Sequence, residues 1–575
     1  MNKLAPIFSL IKEVNLNTRY YTIVILSIFG GFLELISIGS LLPLFNIFLQ
    51  KENFLEIVYL QKFIEIFNIT SYEYLVIFCL ILYLSFFLIK TIYLLFLNYL
   101  KSDFIARHSA GLSQKLFYTY LHQPYIFFAE RNTAQLVRNI TFEVSEISKS
   151  INSTIELITE SCIVIFISIF LIINVSDVFY IILVYLVIFL IFSLLKKKFK
   201  DWGIERQKGQ GELIKHLYQG LGSIKQLKIY DKVNEFVSLY NKSNVHALRA
   251  NMKHSFFLTV PRVVLEFFAV LTFILLMIFS FIIREIDMVE IFPTLALLGA
   301  AAFKILPSIN RILGQVQVLN FSKISYSKVY DEIGLKKNFE TIKNKNEISK
   351  HLTFNNIKIK NLFFTYPNSN KEILKDINIE IKKGEIVGLI GSTGSGKSTL
   401  LNLFCGLIKP TKGKILSDEN NIFENIQEWR SNLTLIPQNI FILDDTIKKN
   451  ITFGETELNI DKFNQVIKIS QLKEFIDSLH LKENTIVGEK GTKLSGGQIQ
   501  RIEIARALYK DAEIIILDEA TSALDEKTEK TFLELFFNIL VNKTIIIVSH
   551  RTSALKECNK IYKLENGKIE ISKKN

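Results

Sequence analysis

The chain has 575 residues, 49% of them hydrophobic and 21% charged, which excludes both a wholly soluble enzyme and a chain that lies in the membrane throughout. Its 68 Lys and Arg outnumber its 55 Asp and Glu, and the net charge of +13 suits either a nucleic-acid binder or a membrane protein with basic cytoplasmic loops. The four Cys are far apart and form no Cys-x-x-Cys pair, so the sequence excludes a disulfide scaffold and a cysteine-based zinc site.

Six long apolar stretches lie before residue 320, and each approaches the roughly 20 residues that cross a bilayer as a helix. We predict membrane-spanning helices at about 21–49, 74–100, 153–175, 178–195, 256–283 and 291–318. Residues 1–20 carry several charges and lack a sustained apolar core, so we predict a helix on the membrane surface here rather than a signal peptide. An all-α membrane domain therefore extends over 21–334, and the polar residues 335–356 form a linker.

The placement of Lys and Arg predicts the orientation of these helices. The fourth stretch ends in a lysine cluster at 196–200, which belongs in the cytoplasm, whereas the acidic connection 284–290 belongs outside. Six spans then place both termini in the cytoplasm. The connections 101–152 and 196–255 are long and rich in helix-forming residues, so we expect the membrane helices to continue into the cytoplasm and reach another domain.

From residue 357 onward the chain alternates short β-rich runs with helical ones, which indicates an α/β domain over 357–575. Residues 385–390 predict a strand that runs into Gly-Ser-Thr-Gly-Ser-Gly-Lys-Ser and then into a helix. This is the pattern of a P-loop, in which glycines let backbone N–H groups surround the phosphates of a nucleotide. Lys397 is placed to reach the terminal phosphates, and the Ser398 hydroxyl is placed to bind Mg²⁺.

A pair of carboxylates follows a second apolar strand. The strand ends at Asp518, where P-loop ATPases hold Mg²⁺, and Glu519 comes directly after it. Glu519 is placed to act as a general base on the attacking water. Taken alone, Glu519 would be a solvated carboxylate at a strand end, but its neighbour Asp518 and the P-loop Lys397 favour the catalytic role.

The sequence Leu-Ser-Gly-Gly-Gln at 494–498 precedes another helix, whose N-terminus predicts a second anion-binding end. With these motifs, nearly the whole chain resembles the ATP-binding cassette family. The resemblance implies ATP hydrolysis with Mg²⁺, and ATP bound between the P-loop of one cassette and the 494–498 motif of another. Because the chain has one of each, the resemblance implies a homodimer with two equivalent ATP sites.

The resemblance also implies roles for single residues. Tyr366 looks like the aromatic residue that stacks on adenine, although packing within its strand is the alternative. Gln438 looks like the residue that contacts Mg²⁺ and water, Asp525 like one that communicates between the two sites, and His550 like the switch histidine at the γ-phosphate. Glu489 resembles part of an exporter-specific segment that contacts the intracellular helices.

The predicted nucleotide site therefore contains catalytic residues, Mg²⁺ ligands and residues that bind ATP. The catalytic residues are Glu519, His550 and Lys397. The Mg²⁺ ligands are Ser398, Gln438 and Asp518. The residues that bind ATP are Tyr366, Gly391, Ser392, Thr393, Gly394, Ser395, Gly396, Lys397, Ser398, Thr399, Gln438, Ser495, Gly496, Gly497, Gln498, Asp518 and Asp525.

Charged residues inside the predicted spans are costly in lipid and usually face a cavity or one another. Arg262 and Glu266 are four residues apart on the fifth span, and Lys304 and Arg311 share one face of the sixth. Arg262 and Arg311 lie at similar depths, so they could meet. We predict that Arg262, Lys304 and Arg311 of two protomers surround a pathway and bind a pyrophosphate or another polyanion. In the alternative, Arg262 pairs with Glu266 and the other two are structural.

Glu34 in the first span and Lys90 in the second are expected to be partners within the helix bundle. Residues 51–70 predict an external amphipathic helix, which either caps the bundle or guides a lipid tail at the outer leaflet. With the segments VPRVVLE and LPSINRI, these features resemble the lipid-linked oligosaccharide flippases of bacterial protein N-glycosylation. Lys304 stands where the resemblance leads us to expect a third Arg, so the charge is kept but the planar fork is lost.

The resemblance implies an ATP-driven transporter of the bacterial inner membrane that flips a polyprenyl-pyrophosphate-linked oligosaccharide to the periplasmic leaflet by alternating access. An exporter of peptides, drugs or another lipid is the alternative, and the intramembrane cations argue against a cationic cargo. The six spans exclude a soluble ATPase that acts on nucleic acid, so no nucleic-acid partner is expected. Glu519 and His550 favour continuous ATP turnover over an ATP-gated channel or regulator.

Overall fold

The computed structural model describes residues 5–41, 72–174, 196–278, 288–334, 354–367, 369–455, 458–519, 533, 536–537, 540, 542–549 and 555–572. The chain forms two compact units, of which Met1–Gln123 with Glu130–Phe339 is the first and Pro124–Ala129 with Glu340–Asn575 is the second. The predicted fourth span, the predicted external helix and most of the predicted linker lie outside the described residues.

The first unit is helical, in agreement with the predicted fold class. The helices up to residue 334 are α1 (Ala5–Glu13), α2 (Asn17–Gly39), α3 (Tyr72–Leu121), α4 (Tyr125–Glu130), α5 (Thr133–Arg138), α6 (Val144–Asn174), α7 (Lys196–Gly222), α8 (Ile224–Ile229), α9 (Val233–Ile278), α10 (Met288–Phe321) and α11 (Lys323–Gly334). Of these, α4 belongs to the second unit except for its last residue. A π-helical turn, Asn139–Glu143, joins α5 to α6. Within the described ranges, three helical stretches are long and apolar enough to cross a membrane. They are Asn17–Gly39, Tyr72–Leu121 and Thr133–Ile173, the last formed by α5, the π-helical turn and α6.

Two helices of the first unit are much longer than a bilayer requires. Helix α3 has 50 residues and α9 has 46, and a helix of 50 residues is about 75 Å long at 1.5 Å per residue. Helix α3 runs on past residue 100, the predicted end of the second span. Helix α9 continues through Pro261, which cannot donate a backbone hydrogen bond to the preceding turn.

Helix α7 contains glycines where neighbouring helices approach closely. A Cβ atom on Gly203 would lie 2.2 Å from the carbonyl oxygen of Phe321 in α10, and one on Gly209 would lie 3.0 Å from Ala247 in α9. A glycine inside a helix costs about 1 kcal/mol relative to alanine. Glycine is required at these two positions despite its helix-destabilising effect, because no side chain would fit between the helices.

The second unit is an α/β domain. Its strands are β1 (Asn356–Thr365), β2 (Glu372–Lys382), β3 (Ile386–Ile390), β4 (Lys412–Ser417), β5 (Asn420–Asn421), β6 (Leu433–Ile436), β7 (Ile514–Asp518), β8 (Thr544–Val548), β9 (Lys560–Glu565) and β10 (Lys568–Ser572). Its helices are α12 (Lys397–Phe404), α13 (Ile426–Ser431), α14 (Ile447–Thr452), α15 (Ile460–Ile469), α16 (Lys473–Ser478) and α17 (Gly496–Lys510).

Two sheets organise the second unit. The smaller sheet is antiparallel with the order β2-β1-β4-β5, and the larger has the order β10-β9-β3-β8-β7-β6. Strands β9, β3, β8, β7 and β6 of the larger sheet pair in parallel. The first four residues of β7 and all five of β8 are buried apolar residues or threonine, as expected for parallel strands covered on both faces. The turn between β9 and β10 places Asn566 and Gly567 at positive φ, the geometry of a tight hairpin turn.

Three hydrophobic clusters form the core of the second unit. One joins both sheets to α12, and Ile126 of α4 packs against it. The second lies against β7 and β8. The third is helical and packs α14, α15 and α17 together around residues such as Ile447, Phe463 and Ile502. Ile442, which lies between β6 and α14, belongs to the third cluster, so the segment after β6 is anchored in the helical part of the unit.

Candidate functional site

Several of the predicted nucleotide residues follow the carboxyl ends of parallel strands in the larger sheet. The P-loop follows β3, Gln438 follows β6, and Asp518 and Glu519 stand at the end of β7. Ligands of open α/β sheets bind at this edge, because the loops that leave the strands converge there. His550, which comes after β8, and Asp525 lie outside the described residues.

The P-loop has the backbone that its glycines predict. A Cβ atom on Gly391 would lie 2.3 Å from the carbonyl oxygen of Leu564, and Gly396 caps α12 with a φ of 107°, so both positions require glycine. Ser395 is buried, and its hydroxyl oxygen has no hydrogen-bond partner among the described residues. A buried polar atom of this kind fits a site that a ligand oxygen completes.

Lys397 is the first residue of α12, and its ammonium group donates hydrogen bonds to loop carbonyls. The Nζ atom lies 2.6 Å from the carbonyl oxygen of Gly391 and 3.1 Å from that of Ser392. The positive charge is therefore held against the loop. A bound phosphate would add a stronger, charge-assisted acceptor at the same place.

Tyr366 follows β1 and packs beside the helix that begins at the P-loop. Its hydroxyl group lies 3.3 Å from the hydroxyl oxygen of Thr399, and its ring meets Phe364 edge to face at 4.9 Å between centroids. These contacts match the strand-packing alternative for Tyr366. They also place a partly buried aromatic ring next to α12.

Asp518, Glu519 and Gln438 are close together at the ends of β7 and β6. Burial raises the pKa of Asp518, the Glu519 carboxylate raises it further, and Lys397 opposes the shift. Asp518 is therefore within electrostatic reach of the P-loop lysine. The amide nitrogen of Gln438 donates a hydrogen bond of 2.7 Å to the Glu519 carboxylate.

Glu519 has a φ of 52°, in the left-handed region that costs a residue with a side chain about 1–2 kcal/mol. Its backbone N–H donates to the carbonyl oxygen of Val548 at 2.9 Å, so β8 holds this conformation in place. Strained backbone of this kind is concentrated at functional sites. Strand β7 ends at Asp518, and the Glu519 carboxylate lies beside Gln438.

The 494–498 segment forms a reciprocal cap on α17. Ser495 is the N-cap residue, and its hydroxyl oxygen accepts a hydrogen bond from the backbone of Gln498 at 3.3 Å. The side-chain oxygen of Gln498 accepts in return from the Ser495 backbone N–H at 2.8 Å. This cap uses the carbonyl end of the Gln498 side chain, so the predicted ATP contact of Gln498 is limited to its amide nitrogen. The Ser495 hydroxyl keeps its proton to donate.

A buried network that the sequence did not predict connects α17 to the segment after Gln438. Arg506 donates to the carbonyl oxygens of Phe441 at 3.0 Å and Asn450 at 2.8 Å, and it pairs with Glu503. Burial raises the pKa of Glu503 and lowers that of Arg506, and each group opposes the shift of the other. The guanidinium group of Arg506 therefore fixes the path of the chain beyond Gln438 relative to α17.

In the membrane domain, Glu34 of α2 binds two lysines. Lys304 of α10 lies 2.7 Å from one carboxylate oxygen, and Lys90 of α3 lies 3.2 Å from the other. The expectation that Glu34 and Lys90 are partners in the bundle is confirmed. Lys304, a member of the predicted anion site, binds the same Glu34 carboxylate as Lys90.

The two arginines of the predicted anion site each have a carboxylate partner. Arg262 pairs with Glu266 at 2.8 Å, as the alternative prediction stated, and both side chains are more than half exposed. Arg311 pairs with Glu160 of α6 at 2.6 Å; the Glu160 side chain is buried and the Arg311 side chain is 54% exposed. Arg262 and Arg311 therefore bind different carboxylates rather than a common partner.

Comparison with known proteins identifies both units. Residues 21–301 match the ABC transporter transmembrane region, and residues 374–522 match the ABC transporter family. A membrane region followed by an ATPase domain in one chain is the organisation of an exporter. The chain is an ABC exporter half-transporter. ATP hydrolysis coupled to transport is the activity of this class.

Several relatives of the exporter have the name of a lipid flippase. It is 29% identical to the ATP-dependent lipid A-core flippase of Wigglesworthia glossinidia brevipalpis over 80% of this chain and 79% of the relative. It is 28% identical to the protein of the same name from Pseudoalteromonas translucida, with the same coverage. Its fold is similar to the solved structure of a bacterial Atm1-family ABC exporter with ATP bound, with a TM-score of 0.75, 20% identity and 96% of this chain and 94% of that chain covered.

The residues predicted to bind Mg²⁺ in the exporter offer oxygen atoms of the kind that this ion prefers. They comprise the exposed hydroxyl of Ser398, the carboxylate of Asp518 and the amide of Gln438. Because the Gln438 amide nitrogen donates to Glu519, the carbonyl oxygen of Gln438 is turned away from this bond and can accept. The donor set therefore fits Mg²⁺ held jointly with nucleotide phosphates.

Glu160 and Glu156 in the exporter's third predicted span were not predicted to bind partners. Glu160 binds Arg311, and Glu156 accepts a hydrogen bond from Gln315, one turn further along α10. Both carboxylates lie in a predicted span, and an ionisable residue in such a position is itself a signal of function or pairing. The criterion by which Arg311 was predicted to be functional, an ionisable side chain within a predicted span, therefore applies equally to Glu160.

Proposed function

We propose that the exporter works as a homodimer that binds ATP between the P-loop of one protomer and the 494–498 segment of the other. Two features of the segment support the proposal. A Cβ atom on Gly496 would meet no atom of the described residues within 4 Å, so packing within this part of the chain does not require glycine there. The Ser495 hydroxyl and the N-terminus of α17 offer hydrogen-bond donors for a phosphate group of ATP that is bound at the P-loop of the other protomer.

For hydrolysis, we propose that Glu519 accepts the proton of the attacking water and that Gln438 orients the Glu519 carboxylate and this water. Lys397 stabilises the negative charge that develops on the terminal phosphate. Ser398, Asp518 and Gln438 would hold Mg²⁺, which neutralises phosphate charge when it is bound. From the family resemblance, His550 contacts the γ-phosphate and Asp525 communicates between the two sites.

We propose that the cargo is an amphiphile with a phosphate-bearing headgroup, and specifically a polyprenyl-pyrophosphate-linked oligosaccharide. The observation that carries this proposal is a set of cations inside predicted spans, each placed against a carboxylate and partly exposed on the protomer. Cations are expensive in a membrane unless they serve a polar pathway or partner. Arg262, Lys304 and Arg311 would contact the pyrophosphate.

The second candidate cargo is a lipid A-core glycolipid, which also carries phosphate. The names of the relatives favour it, because the matches to these lipid A-core flippases cover four fifths of this chain. Both candidates require the same transport direction, from the cytoplasmic to the periplasmic leaflet of a bacterial inner membrane. In both, ATP binding closes the two cassettes, the long helices transmit the closure, and hydrolysis resets the cycle.

The test uses the full-length exporter in liposomes loaded with either glycolipid. The ATP-dependent loss of headgroup from one leaflet is followed for the wild type, Glu519→Gln and Arg311→Ala. We expect flipping by the wild type, none by Glu519→Gln, and slower flipping by Arg311→Ala with its basal ATP hydrolysis retained. Movement of only one of the two glycolipids identifies the cargo. ATP hydrolysis without movement of either would reject both and redirect the search to peptides, drugs and other lipids.

A further inference from the structure

Glu34 is bound by two ammonium groups from two different helices. Lys90 of α3 approaches the Oε2 atom and Lys304 of α10 approaches the Oε1 atom. With one carboxylate and two ammonium groups, this three-residue cluster has a net charge of +1 when all three are ionised. The other two pairs, Arg311 with Glu160 and Arg262 with Glu266, are each neutral.

The two lysines differ in their surroundings. The Lys90 side chain is 6% exposed, donates a second hydrogen bond to Ser37 at 3.1 Å, and lies 3.9 Å from the centre of the Phe87 ring. The Lys304 side chain is 29% exposed, and Glu34 is the carboxylate that it contacts among the described residues. Lys90 is therefore fixed inside the bundle, whereas Lys304 is accessible from outside it.

This difference decides which cation can leave its carboxylate. If Lys304 turned toward an anion, Glu34 would keep Lys90 as its partner and would not be left unpaired. If Arg311 did the same, Glu160, whose side chain is 8% exposed, would lose its direct ion pair and keep only the more distant attraction of Lys101. An unpaired buried charge is strongly destabilising. Of the two cations whose carboxylates are buried, Lys304 is thus the one that an anionic group can recruit at the lower cost.

We infer that Lys90 is a positioning residue that neutralises Glu34 and thereby makes Lys304 available to the anionic headgroup of the cargo. The inference rests on the proposed function, since it assumes a phosphate-bearing cargo. It assigns the first contact with the headgroup to Lys304. Lys90 takes no part in that contact, because it is enclosed by Glu34, Ser37 and Phe87.

The test measures binding to the full-length exporter in nanodiscs. The probes are undecaprenyl pyrophosphate and lipid A, with undecaprenol as an uncharged control. We expect Lys90→Met to weaken binding of the charged probe roughly tenfold or more, because Lys304 then becomes the sole partner of Glu34. The double variant Glu34→Gln with Lys90→Met frees Lys304 again and should restore binding to the wild-type level. Lys473→Met makes the same change at an exposed lysine of the ATPase domain and should leave binding unchanged.

The outcomes separate the inference from the function on which it rests. If the wild type bound neither charged probe, the proposed cargo would be wrong and the inference with it. If the wild type bound one and Lys90→Met bound it equally well, the role of Lys90 alone would be refuted. If both the single and the double variant bound weakly, or if undecaprenol binding fell in parallel, Lys90 would be a packing residue and the charge argument would fail.

Discussion

Arg206 is the centre of a buried ionic cluster in the first unit and offers a quantitative test of its packing. The guanidinium is 2% exposed and lies 2.7 Å from a carboxylate oxygen of Glu146 and 3.0 Å from the hydroxyl oxygen of Ser325. Glu143, in the π-helical turn, is fully buried and lies 3.7 Å from Arg206. The cluster joins α7 to the π-helical turn, α6 and α11.

Replacement of Arg206 by Met removes the charge but keeps much of the apolar length. Breaking a buried ion pair by removing one partner typically costs about 3–5 kcal/mol. Here each carboxylate keeps a second cation, since Arg138 lies 3.4 Å from Glu143 and Lys149 lies 2.8 Å from Glu146. We therefore expect the lower end of the range, about 3 kcal/mol, and, for a unit of this size, a fall in Tm of roughly 4 °C.

The assay is thermal unfolding of the full-length exporter in nanodiscs. The matched control is Arg107→Met, because Arg107 pairs with Asp103 on an exposed face with its side chain 59% exposed, and such pairs contribute little. We expect its Tm to stay close to the wild-type value. An Arg206→Met variant as stable as the wild type would refute the reasoning. In that case the desolvation cost of the buried charges would equal the stabilisation from their ion pairs.

Three further predictions concern single positions in both units. Glu519→Gln should bind ATP but hydrolyse it at least a hundredfold more slowly, measured as steady-state phosphate release, whereas ATP hydrolysis at the wild-type rate would exclude Glu519 as the base. Burial lowers the pKa of His254, which stacks on Phe321 at 4.0 Å, to about 4. Between about pH 6.5 and 4, the unfolded chain therefore binds a proton that the folded chain does not. The free energy of unfolding should fall by roughly 1.4 kcal/mol per pH unit as the pH is lowered through this range. The pH dependence of Tm should be weaker in His254→Phe. Gly413→Ala should lower Tm by several degrees, because Gly413 has a φ of 86° and a Cβ atom would lie 2.2 Å from the carbonyl oxygen of Asn361; an unchanged Tm would show that the turn relaxes freely.

Much of the ATPase domain could be predicted from the sequence because its chemistry is local. The strand, the glycines and Lys397 of the P-loop lie within about a dozen consecutive residues, and the glycines carry their backbone geometry with them. The same holds for the strand that ends at Asp518 and for the start of α17 at Gly496. The long apolar stretches likewise identified the helical membrane domain. In each case a single helix, strand or turn is enough to determine the feature.

Interactions between distant residues were decided only by the tertiary structure. Lys304 binds Glu34 across 270 residues, and Arg311 binds Glu160 across 151. Periodicity along one helix shows which residues share a face, but the partner of a charge depends on which helix packs beside it and in what register. The sequence therefore determined that cations lie within the membrane domain. Helix packing decided that Lys304 shares its carboxylate with Lys90, because that requires three helices to bring their charges to one point.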